Sequence, residues 1–385
     1  MAGIYIHVPF CKKRCHYCDF YKVTDTTLTN YYISALSSEI NLRSNFFKSN
    51  FDNSPLNSEI IETIYLGGGT PSTLSLKNLD LIFTQLWKVF NVSPTAEVTV
   101  EVNPDDVTVE YIKGLHLLGV NRLSMGLQSF DDDYLKLMNR RHNAQQALKS
   151  VEYILTAGIS NFSIDLIYGL PEMTLNKWKE TLDIAFSLPV NHLSAYHLMY
   201  EQGTKFYDWK TDGKLTDIDE DTSWQQFEML HNVAENKGFD HYEISNLAKP
   251  GFYSKHNSNY WNGIPYLGLG LSAHSFIGNE RQWNVPNVQQ YINALKHNEV
   301  FWEAEILSVK DKVNECIMTA LRTKEGINID VFNKNFGNKR YQLLQKTFES
   351  YINSGHIILS NNKIALSLKG WFISDKIIST LMQIS

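Results

Sequence analysis

The sequence predicts an α/β fold of six βα units, arranged as a partial TIM-type barrel or an open parallel sheet, followed by a small winged-helix-like α+β domain. Three observations predict it. Through roughly the first 300 of 385 residues, short β-type runs alternate with amphipathic helical stretches, the pattern of a parallel sheet with crossover helices. Polar or special residues gather where those strands end, on the face where such folds bind ligands. From about residue 301 the pattern changes to helices, then a hairpin, then a closing helix.

The elements follow in order. Short runs rich in β-branched and aromatic residues predict strands at 4–8 (IYIHV), 63–66 (TIYL), 97–102 (EVTVEV), 122–125 (RLSM), 162–167 (FSIDLI) and 192–197 (HLSAYH). Helical spacing of apolar residues predicts helices at 28–42, 76–89, 144–157, 175–186 and 221–237. The cysteine loop follows the first strand, Gly67 to Thr70 the second, Glu101 and Asn103 end the third, Gln128 lies just past the fourth, and Asp165 is in the fifth. Any one of them would serve as a turn or cap; five in register point to a site. Beyond 301, helices are predicted at 309–322 and 341–353, two strands across Asn361-Asn362 in HIILSNNKIALS, and a helix at 371–382. The polar stretch around 296–303 reads as the linker.

Composition excludes several classes. Hydrophobic residues at 43% and charged residues at 20% are ordinary for a soluble globular chain, and the 12% aromatic share, with 20 Tyr, 20 Phe and 8 Trp, is generous. A net charge of -6 gives no general attraction to nucleic acid or anionic lipid. No run approaches the roughly 18–20 apolar residues that span a bilayer, and the first ten residues lack a signal peptide's charged and apolar regions, so a cytoplasmic protein is expected.

Residues 6–22, IHVPFCKKRCHYCDFYK, hold three of the chain's four cysteines, Cys11, Cys15 and Cys18. That crowding does not suit a disulfide framework. Structural zinc takes four protein ligands, so Cys316, His7 or His16 would have to complete such a site. A [4Fe-4S] cluster held by three thiolates instead leaves one iron open to a small molecule. YLGGGTPS, residues 65–72, places three glycines at a strand end, where a missing Cβ lets the backbone approach a ligand. A Gly-rich turn alone marks little; beside the cysteine loop it gains weight.

These motifs, with EVNPDD, NRLSMGLQSFDDDYLKLMNRRH, IDLIYGLP, HYEISNLAKPG and KHNSNYWNG, resemble the radical S-adenosylmethionine (SAM) superfamily, in the HemN/HemW branch of oxygen-independent coproporphyrinogen III oxidase and a related haem chaperone. The resemblance runs nearly the whole length. It implies a partial (βα)6 barrel of the radical SAM kind with a haem-motif extension over residues 1–300, and a C-terminal domain of HemN type over 301–385. It implies Cys11, Cys15 and Cys18 as [4Fe-4S] ligands. It further implies SAM contacts at Tyr5, Tyr17, Gly68, Gly69, Thr70, Glu101, Gln128, Arg140 and Asp165. Taken alone, the two tyrosines read equally as packing, Arg140 as a surface ion pair and Asp165 as a strand-end cap.

Two departures separate the branches. The oxidase resembled here has a further cysteine two positions after the third, where this chain has Phe20, and a longer segment before the first cysteine. HNSNYW, residues 256–261, matches the chaperone-type H-N-x-x-Y-W motif, which implies haem ligation by His256 with Tyr260 and Trp261 against the macrocycle. The function implied is a haem chaperone that carries haem as cargo, binds a [4Fe-4S] cluster and SAM, and hands haem to respiratory proteins. Such a protein needs an electron donor and meets a membrane only through its acceptor. The alternative is oxidative decarboxylation of coproporphyrinogen III. A third reading, a cluster-bearing nucleic-acid sensor, is weak: Lys339, Arg340, Lys346, Lys363 and Lys369 are scattered among acids. YLGLGLSAHS, residues 266–275, takes no role at this level; its Ser272 stands where the family usually has glycine, His274 reads as packed, and Cys316 as a buried apolar residue.

Overall fold

A computed structural model describes residues 1–48 and 59–382. Six parallel strands form its centre: β1 (Ala2–Val8), β2 (Ile61–Gly68), β3 (Val92–Val102), β4 (Arg122–Gln128), β5 (Phe162–Tyr168) and β6 (His192–His197). Each pairs in parallel with the next, so that Tyr5 stands opposite Tyr65, Tyr65 opposite Thr99, and Thr99 opposite Arg122. Ser124 likewise meets Ser163, and Ser163 meets His192.

Strand side chains alternate between faces, and the two faces differ in chemistry. One set, including Ile4, Ile6, Ile64, Leu66, Val98, Val100, Leu123, Met125, Ile164, Leu166 and Leu193, is buried in the hydrophobic core. The alternate set is polar and meets across the concave side: Tyr65 donates to Glu101 at 2.8 Å, Ser124 to Asp165 at 3.3 Å, and Thr63 lies 2.8 Å from the His256 ring. An ordinary TIM barrel fills this space with branched apolar residues. Here the interior is built to be wet or occupied.

Six crossover helices cover the apolar face: α1 (Thr29–Leu42), α2 (Leu76–Val89), α3 (Val109–Leu117), α4 (Asp132–Leu137), α5 (Ala144–Thr156) and α6 (Leu175–Ser187). Side-chain caps start most of them, Ser75, Thr108, Asp131 and Thr174 among them, with a full capping box at Asn143 and Gln146. The sequence pattern did not announce α3 and α4. One is a nine-residue helix with Gly114 tight against Leu76, the other a single six-residue turn-and-a-half.

Strand β6 does not close onto β1. After α7 (Lys205–Thr211) and α8 (Glu220–Asn236), the chain adds β7 (Asp240–Glu243) and β8 (Asn246–Ala248) beside β6. Then come α9 (Lys255–Trp261), β9 (Tyr266–Leu269) parallel to β1, β10 (His274–Ile277), β11 (Glu280–Asn284), α10 (Val288–His297) and β12 (Trp302–Ile306) at the other edge. The stretch expected as a linker therefore holds the end of α10, a left-handed Asn298 cap (φ 58°) and the start of β12.

The last segment comprises α11 (Val309–Ala320), β13 (Ile327–Asn328), α12 (Ile329–Phe336), α13 (Asn338–Asn353), β14 (Ile357–Ser360), β15 (Lys363–Leu366), α14 (Leu368–Phe372) and α15 (Ser374–Met382). The hairpin turns at Asn361 and Asn362, both at positive φ (48° and 62°), as a two-residue loop matched to strand twist requires. Strand β13 adds a third member to this small antiparallel sheet. Among the described residues no helix is long and apolar enough to cross a membrane.

Candidate functional site

The loop after β1 is a fixed structure without regular secondary structure. Cys11 N–H donates to Val23 O and Val23 N–H to Pro9 O, both at 2.9 Å, closing its base. Asn139 Nδ2 donates to Arg14 O at 2.7 Å, His16 N–H to Met138 O at 3.1 Å, and Phe206 N–H to His16 O at 2.9 Å. Lys22 Nζ donates to the Cys18 and Phe20 carbonyls. Cys11, Cys15 and Cys18 are free thiols on this scaffold.

All three border one cavity of about 380 Å³. Tyr17, Gly68, Gly69, Thr70, Glu101, Gln128, Arg140 and Asp165 line it too, so eight of the nine residues expected to contact SAM come together there. Tyr5 is the exception. It lies below, its hydroxyl 3.2 Å from His7 Nδ1 and its ring centroid 6.2 Å from that of Tyr65.

The glycine turn has a steric reason. A Cβ on Gly69 would stand 2.8 Å from Val8 O and Pro9 C, and one on Gly68 (φ +107°) would stand 2.6 Å from the His7 ring. Only glycine lets the end of β2 press against the root of the cysteine loop, where Gly69 N–H donates to Val8 O at 2.7 Å. Gln128 holds a left-handed φ of 69° at a bulge between β4 and β5, which turns it into the cavity.

Charge is divided across the cavity. Arg140 Nη2 donates to Asn103 Oδ1 and Gly126 O, both at 2.7 Å, and Nη1 reaches Cys15 Sγ at 3.4 Å; its buried Nε has no partner. Neighbouring Tyr17 and Cys15 hold its charge firmly despite burial. Burial pushes the Glu101 carboxyl up to about 7, with Asp165 adding to the rise and bonds from Tyr65 and Gly68 N–H opposing it. Burial likewise pushes Asp165 up to about 6, opposed by Ser194 and Arg122. Burial also raises the Cys11 thiol, whose Sγ lies 3.4 Å from Thr70 Oγ1.

The donor set fits a multi-iron group better than zinc. Each residue considered as a fourth zinc ligand is engaged or remote: His7 between Tyr5 and Tyr21 O, His16 on Leu137 O, and Cys316 half-buried on α11. Among the described residues no three His, Cys, Asp or Glu side chains gather around one ion-sized point. Three thiols beside a roomy cavity suit the Cys ligation of an iron–sulfur cluster.

Sequence reasoning missed several lining residues, among them Ser124, Gly126, Tyr196, Met199 and Arg141. Ser124 and Gly126 alternate along β4 on the concave side and Tyr196 follows the same period on β6, so strand alternation was a usable signal. Met199, in the loop after β6, had none.

His256, Tyr260 and Trp261, the residues expected to meet haem, are brought together in a closed arrangement. They lie on α9, which caps the strands' N-terminal ends, away from the cysteine cavity: Lys255 and His256 N–H donate to Glu97 at 3.2 and 3.1 Å. His256 is 2% exposed, with Nδ1 2.8 Å from Thr63 Oγ1 and Nε2 2.9 Å from Tyr260 Oη. Burial, with Arg122 nearby, lowers it to about 3, so it is neutral with both nitrogens occupied. Trp261 is half-buried, its indole N–H unpartnered. Likewise, His274 is exposed near Trp283 rather than packed, and the preceding Gly268–Ser272 stretch is a close-packed corner where a Cβ on Gly268 would stand 2.0 Å from His274 O.

Comparison with known proteins agrees with this architecture. Residues 5–185 match the family described as the Radical SAM superfamily, and residues 307–373 match the HemN C-terminal domain. The chain is 33% identical to "Heme chaperone HemW" of Lactococcus lactis, covering 97% of this chain and 95% of that protein. It is 32% identical to the Bacillus subtilis protein of the same name, covering 99% of both. Among solved structures, coproporphyrinogen III oxidase (HemN) from Escherichia coli superposes with a TM-score of 0.84 at 21% identity, covering 99% of this chain and 89% of that one, a likeness of fold.

Proposed function

Because the chain belongs to the HemW family of the radical SAM superfamily, we propose that it is a haem chaperone that holds a [4Fe-4S] cluster and SAM and passes haem to haem-requiring respiratory proteins. One observation carries the cofactor half of this reading: three free thiols, a glycine turn, a pinned arginine and two half-buried carboxylates share one cavity. Cys11, Cys15 and Cys18 would hold the cluster. Arg140 suits the carboxylate of SAM, the Gly68–Thr70 backbone its amino group, and Asp165 the ribose hydroxyls, with Glu101, Gln128 and Tyr17 completing the wall. Tyr5 supports that wall from below. When bound, cluster and SAM supply one-electron reductive chemistry; the residues around them orient the two and exclude water.

Haem ligation by His256 has a structural requirement. Iron takes one ring nitrogen, so His256 must give up either Thr63 at Nδ1 or Tyr260 at Nε2, and a buried polar group left unpaired costs about 1–3 kcal/mol. The test is an anaerobic haem titration of the cluster-reconstituted protein, followed at the Soret band, beside His256→Ala. Saturable, stoichiometric binding supports the reading, and its loss in a folded variant names the ligand. Binding no tighter than that of a control protein contradicts it.

The second reading is oxidative decarboxylation of coproporphyrinogen III. Phe20 bears against it, because it stands at the cavity mouth where the resembled oxidase has a further cysteine. Release of carbon dioxide from that substrate would revive it.

A further inference from the structure

Tyr65, on β2, touches a residue of each candidate site. Its hydroxyl donates to Glu101 Oε1 at 2.8 Å, on the wall of the cysteine cavity. Its ring stacks on that of His256, with centroids 5.2 Å apart and planes 24° from parallel. Tyr5 flanks the pair, its ring stacked on Tyr65 at 6.2 Å and on His256 at 6.4 Å. A column of packed rings therefore runs from the cavity wall to α9 through the concave side of the sheet.

Little slack is left along it. A Cβ on Gly67 would stand 2.8 Å from Tyr65 Cε1 and 2.9 Å from Glu101 Oε1, so the hydroxyl and its acceptor are pressed against the β2 backbone. At the far end a Cβ on Gly3 would stand 3.4 Å from the His256 imidazole and 2.7 Å from Thr63 Oγ1. Interiors packed this closely transmit a displacement rather than absorb it.

The two ends make opposite demands on Tyr65. A SAM donor that shares the Glu101 carboxylate favours its ionised, accepting form, which holds the Tyr65 hydroxyl more firmly. Haem iron on His256 instead requires that ring to leave Thr63 or Tyr260, opening the arrangement against which Tyr65 packs.

We propose that Tyr65 is a positioning residue that couples the two sites with negative sign: SAM at Glu101 fixes Tyr65, Tyr65 holds His256 closed, and haem binds less tightly. In a haem carrier this makes SAM a signal for release. The proposal rests on the reading that SAM meets Glu101 and haem meets His256. Because such coupling is reciprocal, haem weakens SAM by the same factor.

The test is an anaerobic haem titration of cluster-loaded protein, kept oxidised so that SAM binds without being cleaved, with and without saturating SAM. SAM should raise the haem dissociation constant at least about fivefold. Equilibrium dialysis of labelled SAM, with and without haem, should return the same factor. Tyr65→Phe keeps the ring and its stack and loses only the hydroxyl, so both factors should fall to about one. A purely structural role for the hydroxyl would change the affinities and leave their ratio intact. A second readout needs no haem: SAM should slow amide hydrogen exchange across α9 in the wild type and not in Tyr65→Phe. Haem affinity that SAM leaves unchanged or tightens, or a Tyr65→Phe protein with the full factor, would overturn the proposal. A wild type that binds SAM but no haem overturns the haem reading instead, and exchange at α9 then judges the coupling alone. A wild type that binds no SAM overturns both.

Discussion

Arg140 links the two halves of the cavity, with Nη1 3.4 Å from Cys15 Sγ and Nη2 2.7 Å from Asn103 Oδ1 at the end of β3. On the proposed reading, a planar fork held on both sides would meet the carboxylate of SAM with its donors already aligned. Arg140→Ala should weaken SAM binding by about tenfold to a hundredfold, from the roughly 1.5–3 kcal/mol of a charged hydrogen bond. Iron content should be unchanged. Calorimetric titration of cluster-loaded protein checks the first, and metal analysis the second.

Glu101 is raised to about 7 from an ordinary 4.5, so the folded protein binds this proton more tightly than the unfolded chain. The stability it contributes is whole below about pH 4.5 and is lost as pH rises through about 7. Glu101→Gln should therefore stabilise the SAM-free protein at pH 8 by up to about 3 kcal/mol, and the difference should vanish at pH 4. The same change should weaken SAM binding. Denaturant melts at the two pH values, with SAM titrations beside them, check both directions.

Gly69 leaves no room for a side chain, because a Cβ would stand 2.8 Å from the backbone of Val8 and Pro9. Gly69→Ala should push the cysteine loop from the end of β2, costing about 1–3 kcal/mol as overpacking does. Reconstituted protein should hold markedly less iron while its far-ultraviolet circular dichroism stays native.

His256→Ala removes two buried hydrogen bonds and leaves a void beside Tyr65, whose ring stacks on His256 at 5.2 Å. Destabilisation by about 2–4 kcal/mol is expected, visible in thermal melts without haem. A purely solvent-facing haem ligand would leave the melt unchanged.

Much of this was legible in the sequence because strand and helix periods are local. The six core strands declare themselves through runs such as IYIHV and EVTVEV, and cavity residues sit where those runs end. The edge strands β7 to β12 did not, being three to five residues long and dependent on neighbours far away in the chain. The setting of His256 was illegible for a similar reason. Its motif is intact, but Thr63, which occupies Nδ1, lies 193 residues away. Polar alternation on the concave side was visible in strings such as FSIDLI, yet only the assembled barrel reveals that Glu101 and Asp165 share one space.

On the proposed reading, Cys11, Cys15 and Cys18 hold a cluster with one iron left for SAM. Electron paramagnetic resonance of the anaerobically reconstituted, reduced protein, recorded with and without SAM, tests it most directly. About four irons per chain are expected, with a cluster signal whose shape changes when SAM is added and no signal after Cys15→Ala. A full-strength signal indifferent to SAM, or protein that takes up zinc but no iron, would contradict it.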